Sequence, residues 1–181
     1  MRVDRTAIEG LLCVTPKRHG DARGFFSETW SRRAFADVDF VQDNHSLSRP
    51  AGVIRGLHFQ TEPSPQGKLV RVLRGRILDV AVDIRRGSPT FGGHVAVELS
   101  AENGRQLWVP VGFAHGFCTL EPDTEVAYKV TTYYDRACDK GVAFDDPDIA
   151  IDWPIAPAEA IVSDKDRQQP RLRDLAAVFE S

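Results

Sequence analysis

Lys68-Leu69-Val70-Arg71-Val72-Leu73-Arg74-Gly75-Arg76-Ile77-Leu78-Asp79-Val80-Ala81-Val82-Asp83-Ile84-Arg85 is the stretch from which the fold is read. Leu69 to Leu73 is apolar and rich in β-branched residues, and Arg74-Gly75-Arg76 reads as a tight turn. After the turn, Leu78, Val80, Val82 and Ile84 alternate with Ile77, Asp79, Ala81 and Asp83. That is period two, with one apolar face and one face carrying carboxylates, the mark of a strand. The whole stretch therefore predicts two strands joined by a tight turn.

Outward from this stretch, further strands are expected over Val53 to Gln60, His94 to Ser100, Gln106 to Val111, Gly116 to Leu120 and Glu125 to Tyr133. Helix signals are few. Ser31 to Val38 could form one short helix, and Leu172, Leu175, Ala176 and Phe179 fall at helical spacing. The 14 glycines and 11 prolines are spread through the chain, as many short strands joined by turns require. There is no repeat or linker, and 181 residues suit one domain, 1–181, around a single core. An all-β barrel or jelly roll with a few short helices follows.

The composition, 42% hydrophobic and 27% charged with a formal net charge of -3, is that of a globular chain. It gives no broad electrostatic reason to bind nucleic acid or a membrane surface. Arginines nevertheless crowd the first half, among them Arg23, Arg55, Arg71 and Arg85, and can hold a small anionic ligand. Three cysteines, Cys13, Cys118 and Cys138, are too few and too scattered for a disulfide framework, and suggest reduced thiols in a cytoplasmic protein. The opening Met1 to Gly10 has no apolar run, so no signal peptide is expected, and no stretch approaches the ~20 apolar residues of a membrane span.

Two segments carry chemistry. The first is Gly56-Leu57-His58-Phe59-Gln60 with Lys68 downstream; the second spaces Gly104, Pro110, Gly112 and His115 as G-x5-P-x-G-x2-H. Together they resemble the two motifs of the cupin superfamily, a small double-stranded β-helix or jelly-roll barrel. Metal-binding cupins carry His-x-His in the first motif, but Gln60 stands here in the second histidine's place. His58 and His115 fall short of the three ligands a transition metal normally needs, unless Glu62 helps. A metal-free cavity with no cofactor is expected. A cavity holding histidines and a lysine suits proton transfer, with histidine as base and lysine stabilising an oxyanion. Tyr128 could donate a proton, and Ser163-Asp164-Lys165-Asp166 could bring a carboxylate to orient a histidine.

Five runs go further: Arg23-Gly24-Phe25-Phe26-Ser27-Glu28, Gln42-Asp43-Asn44-His45-Ser46, Arg55-Gly56-Leu57-His58-Phe59-Gln60, Val109 to Phe117, and Ser163-Asp164-Lys165-Asp166. In that order, over nearly the whole chain, they resemble the dTDP-4-dehydrorhamnose 3,5-epimerase family. The resemblance implies a homodimeric cupin barrel that epimerises dTDP-4-keto-6-deoxy-D-glucose, with part of the N-terminal region reaching the neighbouring subunit's site. By residue match it implies His58 as base, Asp166 as the carboxylate paired with it, Tyr128 as acid and Lys68 at the C4 oxygen. Substrate contacts implied in the same way are Arg23, Glu28, Gln42, Asn44, Arg55, His115, Asp139 and Lys165, with Tyr134 stacking on thymine. Phe59, Asp139 and Phe144 depart from the family's usual Tyr, Glu and Trp.

Taken singly, several of these residues have plainer readings. A lone strand histidine is more often structural, Asp166 alone reads as a surface carboxylate, and Tyr128 alone as an ordinary strand tyrosine. His19, His45 and His94 are expected mainly at the surface or in packing, and the tryptophans in core or interface. Competing functions are a mono-epimerase inverting C3 or C5 only, a metal-dependent cupin, and a non-catalytic sugar-binding cupin. Counting the labelled carbons, metal analysis and turnover separate them in turn.

Overall fold

The computed structural model describes residues 1–33, 38–176 and 179–180. Its strands are β1 (Arg2–Arg5), β2 (Leu12–Thr15), β3 (Arg18–Asp21), β4 (Gly24–Ser27), β5 (Gln42–Ser48), β6 (Ile54–Gln60), β7 (Lys68–Arg74), β8 (Arg76–Asp83), β9 (His94–Ser100), β10 (Gln106–Val109), β11 (Phe113–Thr119), β12 (Thr124–Val130) and β13 (Asp139–Gly141). The two strands expected from Lys68 to Arg85 are present as β7 and β8, and they do not pair with each other. Gly75, at φ +76°, turns the chain from one sheet into the other. A Cβ there would lie 2.4 Å from Thr124 Oγ1, so the turn needs a glycine.

Two antiparallel sheets result. One runs β1-β2-β10-β7-β12-β5 and the other β13-β6-β11-β8-β9, with β3-β4 as a separate hairpin. This is the all-β jelly-roll architecture that the cupin-type motifs predicted. Two apolar clusters explain why β8 alternates as it does. Its Ile77 and Ala81 join Val70, Val72, Leu99, Leu107 and Val126, which come from both sheets, so this cluster fills the space between them. Its Val80, Val82 and Ile84 face the other way and pack with Ile54, Leu57, Val142, Phe144, Trp153 and Leu172. The chain after β13 therefore covers the outer face of the five-stranded sheet. Each fully buried Leu or Ile here contributes roughly 1.5–3 kcal/mol. Asp79 and Asp83, on the face expected to carry carboxylates, are both fully buried and look into the sandwich.

The C-terminal covering is pinned by Asp146, which accepts from Leu172 N at 2.6 Å, and by Trp153, whose Nε1 donates to Phe144 O at 2.8 Å. Phe59 and Phe144, two of the family departures, both lie in this outer cluster. The helical spacing near the end yields one 3-10 turn, Leu172–Asp174, with Leu175 and Phe179 packed on the outer cluster. The short helix expected over Ser31 to Val38 falls largely outside the described residues. The remaining helix is α1 (Asp164–Arg167), in the run expected to carry a carboxylate. Among the described residues no helix is long and apolar enough to cross a membrane.

Candidate active site

A cavity of about 460 Å³ opens between the two sheets, beside the apolar cluster that fills the rest of the space. The five-stranded sheet contributes His58 from β6 and His115 from β11, which are register partners. The six-stranded sheet contributes Lys68 from β7 and Tyr128 from β12. Arg55, Lys165 and Asp166, with Ser46 and Ser163, complete the polar lining.

The two histidines meet because two glycines let their strands close up. Gly56 has φ +130°, and a Cβ on it would stand 2.6 Å from Gly116 Cα and 2.8 Å from His115 O. No other residue fits that approach.

His58 Nε2 lies 2.6 Å from Asp166 Oδ1, and the other carboxylate oxygen accepts from Gly56 N at 3.2 Å. Ser163 caps α1, its Oγ accepting from Asp166 N at 3.1 Å, which fixes the aspartate's backbone. Burial works against the Asp166 charge. The hydrogen bond and charge of His58, together with the Gly56 N–H, outweigh it and hold the carboxyl below its ordinary range. A neutral imidazole donating from Nε2 to this carboxylate keeps its lone pair on Nδ1, the tautomer a base needs.

Lys68 is 9% exposed, and its Nζ donates to His58 O at 3.4 Å. Burial pulls its ammonium down to about 8, against the opposing pull of the Asp139 and Asp79 charges. Burial likewise pushes the Tyr128 hydroxyl upward, with Arg55 pulling the other way, so at neutral pH it is a proton donor. Arg55 is steadied by Ser48 Oγ at 3.2 Å and Leu47 O at 3.3 Å.

His115 belongs to a second pair. Its Nε2 is 2.8 Å from Asp79 Oδ1, and Asp79 is fully buried. The sequence marked Asp79 as one of the carboxylates on β8 but did not connect it with His115. The period-two alternation puts Asp79 on the same face as Ala81, but that His115 is the register partner of Ala81 is fixed only by the strand pairing.

The remaining expected residues are less concentrated. Tyr134 Oη donates to Asp139 Oδ2 at 3.0 Å, and Lys165 Nζ pairs with that same oxygen, so these three form a cluster at the cavity's edge. Gln42 and Asn44 sit on the edge strand β5 and bond each other at 2.7 Å. Arg23 lies on the exposed β3-β4 hairpin, paired with Asp21 at 2.6 Å, and Glu28 is exposed just beyond it. Neither lines the cavity of its own chain. Among the described residues no three His, Cys, Asp or Glu side chains converge in a group that could hold a metal ion. The Gln60 amide is engaged by Ser64 O, Tyr133 O and Asp135 N.

Comparisons with known proteins give the chain's relatives. Residues 5–174 match the family model described as dTDP-4-dehydrorhamnose 3,5-epimerase. The chain is 54% identical over 178 residues to the dTDP-4-dehydrorhamnose 3,5-epimerase of Sinorhizobium fredii, covering 96% of this chain and 91% of that one. Its structure is similar to a Legionella pneumophila dTDP-6-deoxy-D-glucose-3,5-epimerase in complex with dTDP-4-keto-L-rhamnose. There the TM-score is 0.95 and the identity 44%, with 99% of this chain and 98% of that one covered. It is also similar to a 3'-monoepimerase of Streptomyces bikiniensis in complex with dTDP-quinovose, at TM-score 0.86 and 34% identity, covering 93% and 86% of the two chains.

Proposed function

The chain belongs to the dTDP-4-dehydrorhamnose 3,5-epimerase family, and on that premise we propose how its cavity inverts dTDP-4-keto-6-deoxy-D-glucose at C3 and C5. The product is dTDP-4-keto-L-rhamnose. The observation that carries the mechanism is the placement of His58 and Tyr128 on opposite sheets across one cavity, with Lys68 beside them.

Both carbons flank the C4 ketone, so their protons are acidic only if the enolate oxygen is stabilised. His58 takes the proton on one face of the ring. The C–H electron pair moves into the ring as a C=C bond, and the C4 oxygen takes the negative charge. Lys68 meets that charge in a largely dry site, where its ammonium counts for more than in water. Tyr128 then protonates the carbon from the opposite face, the C–H bond re-forms and the centre is inverted. Asp166 stabilises the imidazolium that forms at His58, and solvent resets the two groups. The same base, acid and oxyanion site serve C3 and C5 in turn if the sugar ring shifts.

Arg55 holds the diphosphate at the mouth of the cavity. Tyr134, with Asp139 and Lys165 at the edge, receives the thymine. Arg23 and Glu28 serve the partner's site in a homodimer, carried there by the β3-β4 hairpin. That reading is supported by the hairpin's exposure, with Phe25 at 62% and Phe26 at 72%, and by its contributing no residue to the lining of its own cavity.

Turnover in D₂O tests the proposal. Mass and NMR analysis of the product should find deuterium at both C3 and C5. Label at one carbon only would establish the mono-epimerase, a reading that the likeness to the Streptomyces bikiniensis structure keeps in view. Product formed with no label at either carbon would contradict solvent-exchanging proton abstraction.

A further inference from the structure

Gln60 follows His58 by two residues on β6, at the place where a His-x-His motif would carry its second imidazole. It is 4% exposed, and its amide is fully used. Nε2 donates to Ser64 O at 2.7 Å and to Tyr133 O at 3.1 Å, while Oε1 accepts from Asp135 N at 2.8 Å. The two backbone groups it holds on the segment between β12 and β13, Tyr133 O and Asp135 N, are the immediate neighbours of Tyr134 on either side. Tyr134 itself is 59% exposed, and its one side-chain bond runs to Asp139.

We infer that Gln60 is a positioning residue for nucleotide binding: its buried amide clamps the backbone on both sides of Tyr134 and presets the ring at the cavity's edge. The inference rests on the reading of Tyr134 as the thymine-stacking residue. An exposed ring on an unclamped loop must be ordered at the moment of binding, at a cost in backbone entropy. A clamp made in advance removes that cost. Because the base does not change during the reaction, the gain is equal in ground and transition states and appears in KM rather than kcat. The position vacated by a metal ligand thus ties the strand of the proposed base to the loop that receives the nucleotide.

The test combines dTDP titration calorimetry with steady-state kinetics on Gln60→Leu, Tyr134→Ala and the double variant. Gln60→Leu should weaken dTDP binding and raise KM about tenfold, with kcat changed less than about threefold. Added to Tyr134→Ala, it should cost less than about twofold more, because the ring it positions is already gone. Wild-type affinity in Gln60→Leu beside weakened binding in Tyr134→Ala would overturn the inference alone. Normal affinity in Tyr134→Ala would overturn it together with the reading of Tyr134. Should Gln60→Leu not fold, Gln60→Asn keeps a buried amide but is one methylene too short to hold both Tyr133 O and Asp135 N. It should weaken dTDP several-fold at constant kcat, and unchanged affinity there would equally overturn the inference.

Discussion

Two histidine–carboxylate pairs stand side by side across the β6–β11 ladder, one open and one closed. In the His58–Asp166 pair the imidazole is 31% exposed, and its carboxylate comes from a helix 108 residues away. In the His115–Asp79 pair the side chains are 8% and 0% exposed, and the carboxylate comes from the neighbouring strand β8. The chemistry of each pair is the same, and the access is not. A base must present a free ring nitrogen to substrate and exchange its proton with solvent, which His58 can do. His115 forms a fixed wall of the cavity, and Asp79 sets a negative charge within reach of Lys68. The contrast supports the proposal that the open pair removes the proton.

The largest effect should come from breaking that pair. His58→Ala removes the acceptor and should lower kcat by about 10²–10⁴-fold with little change in dTDP affinity. Asp166→Asn leaves the imidazole but weakens its basicity and orientation, for a loss of about 10–100-fold. Steady-state rates and dTDP titrations on the two variants check this, and near-normal turnover in His58→Ala would remove it from the mechanism.

Lys68 donates to His58 O and feels the Asp79 charge, and in the proposed mechanism its ammonium must be charged to meet the enolate. With burial holding it at about 8 rather than 10.5, kcat/KM should fall as pH rises past about 8, by roughly tenfold per pH unit. Stability should move the other way. Between pH 8 and 10.5 the unfolded chain keeps the Lys68 proton and the folded one has released it. The unfolded state then binds more protons, so the lysine's contribution to stability rises across that window. A pH–rate profile flat to pH 10 would show that the charge of Lys68 is not required.

The smallest effect on turnover should come from the closed pair. Asp79→Asn keeps the volume and a hydrogen-bonding oxygen for His115, and should lower kcat by less than about tenfold. It should reduce folding stability by about 1–3 kcal/mol, because a buried polar partner is altered. Rates and denaturant midpoints measured together decide this, and a loss of turnover matching His58→Ala would erase the distinction between the pairs.

How much of this was legible in the sequence follows from where burial leaves a pattern. The alternation of Arg76 to Asp83 gave β8 because both of its faces are buried by different clusters. Strands β1, β3 and β4 are exposed along their length, and the edge strand β5 mixes exposed and half-buried positions, so they carry no apolar period. That Gly75 sends β7 and β8 into separate sheets could not be told from a hairpin turn, since both need the same positive φ. His58 and Lys68 stood out in their local motifs, whereas the partnership of His58 with Asp166 spans 108 residues and came through family resemblance. Asp79 and the Gln60 clamp escaped because their partners are fixed by strand register and by a loop's backbone, neither of which a side-chain pattern encodes.

The central claim is that base and acid reach the sugar from opposite sheets, and Tyr128→Phe in D₂O tests it most directly. The measurement compares deuterium entry into recovered substrate with the rate of inversion. If Tyr128 supplies the proton, losing its hydroxyl should spare abstraction by His58 and impair delivery from the far face. Exchange with retention should then persist while inversion falls. Equal loss of exchange and inversion would contradict the account and leave Tyr128 as a residue that only positions the sugar.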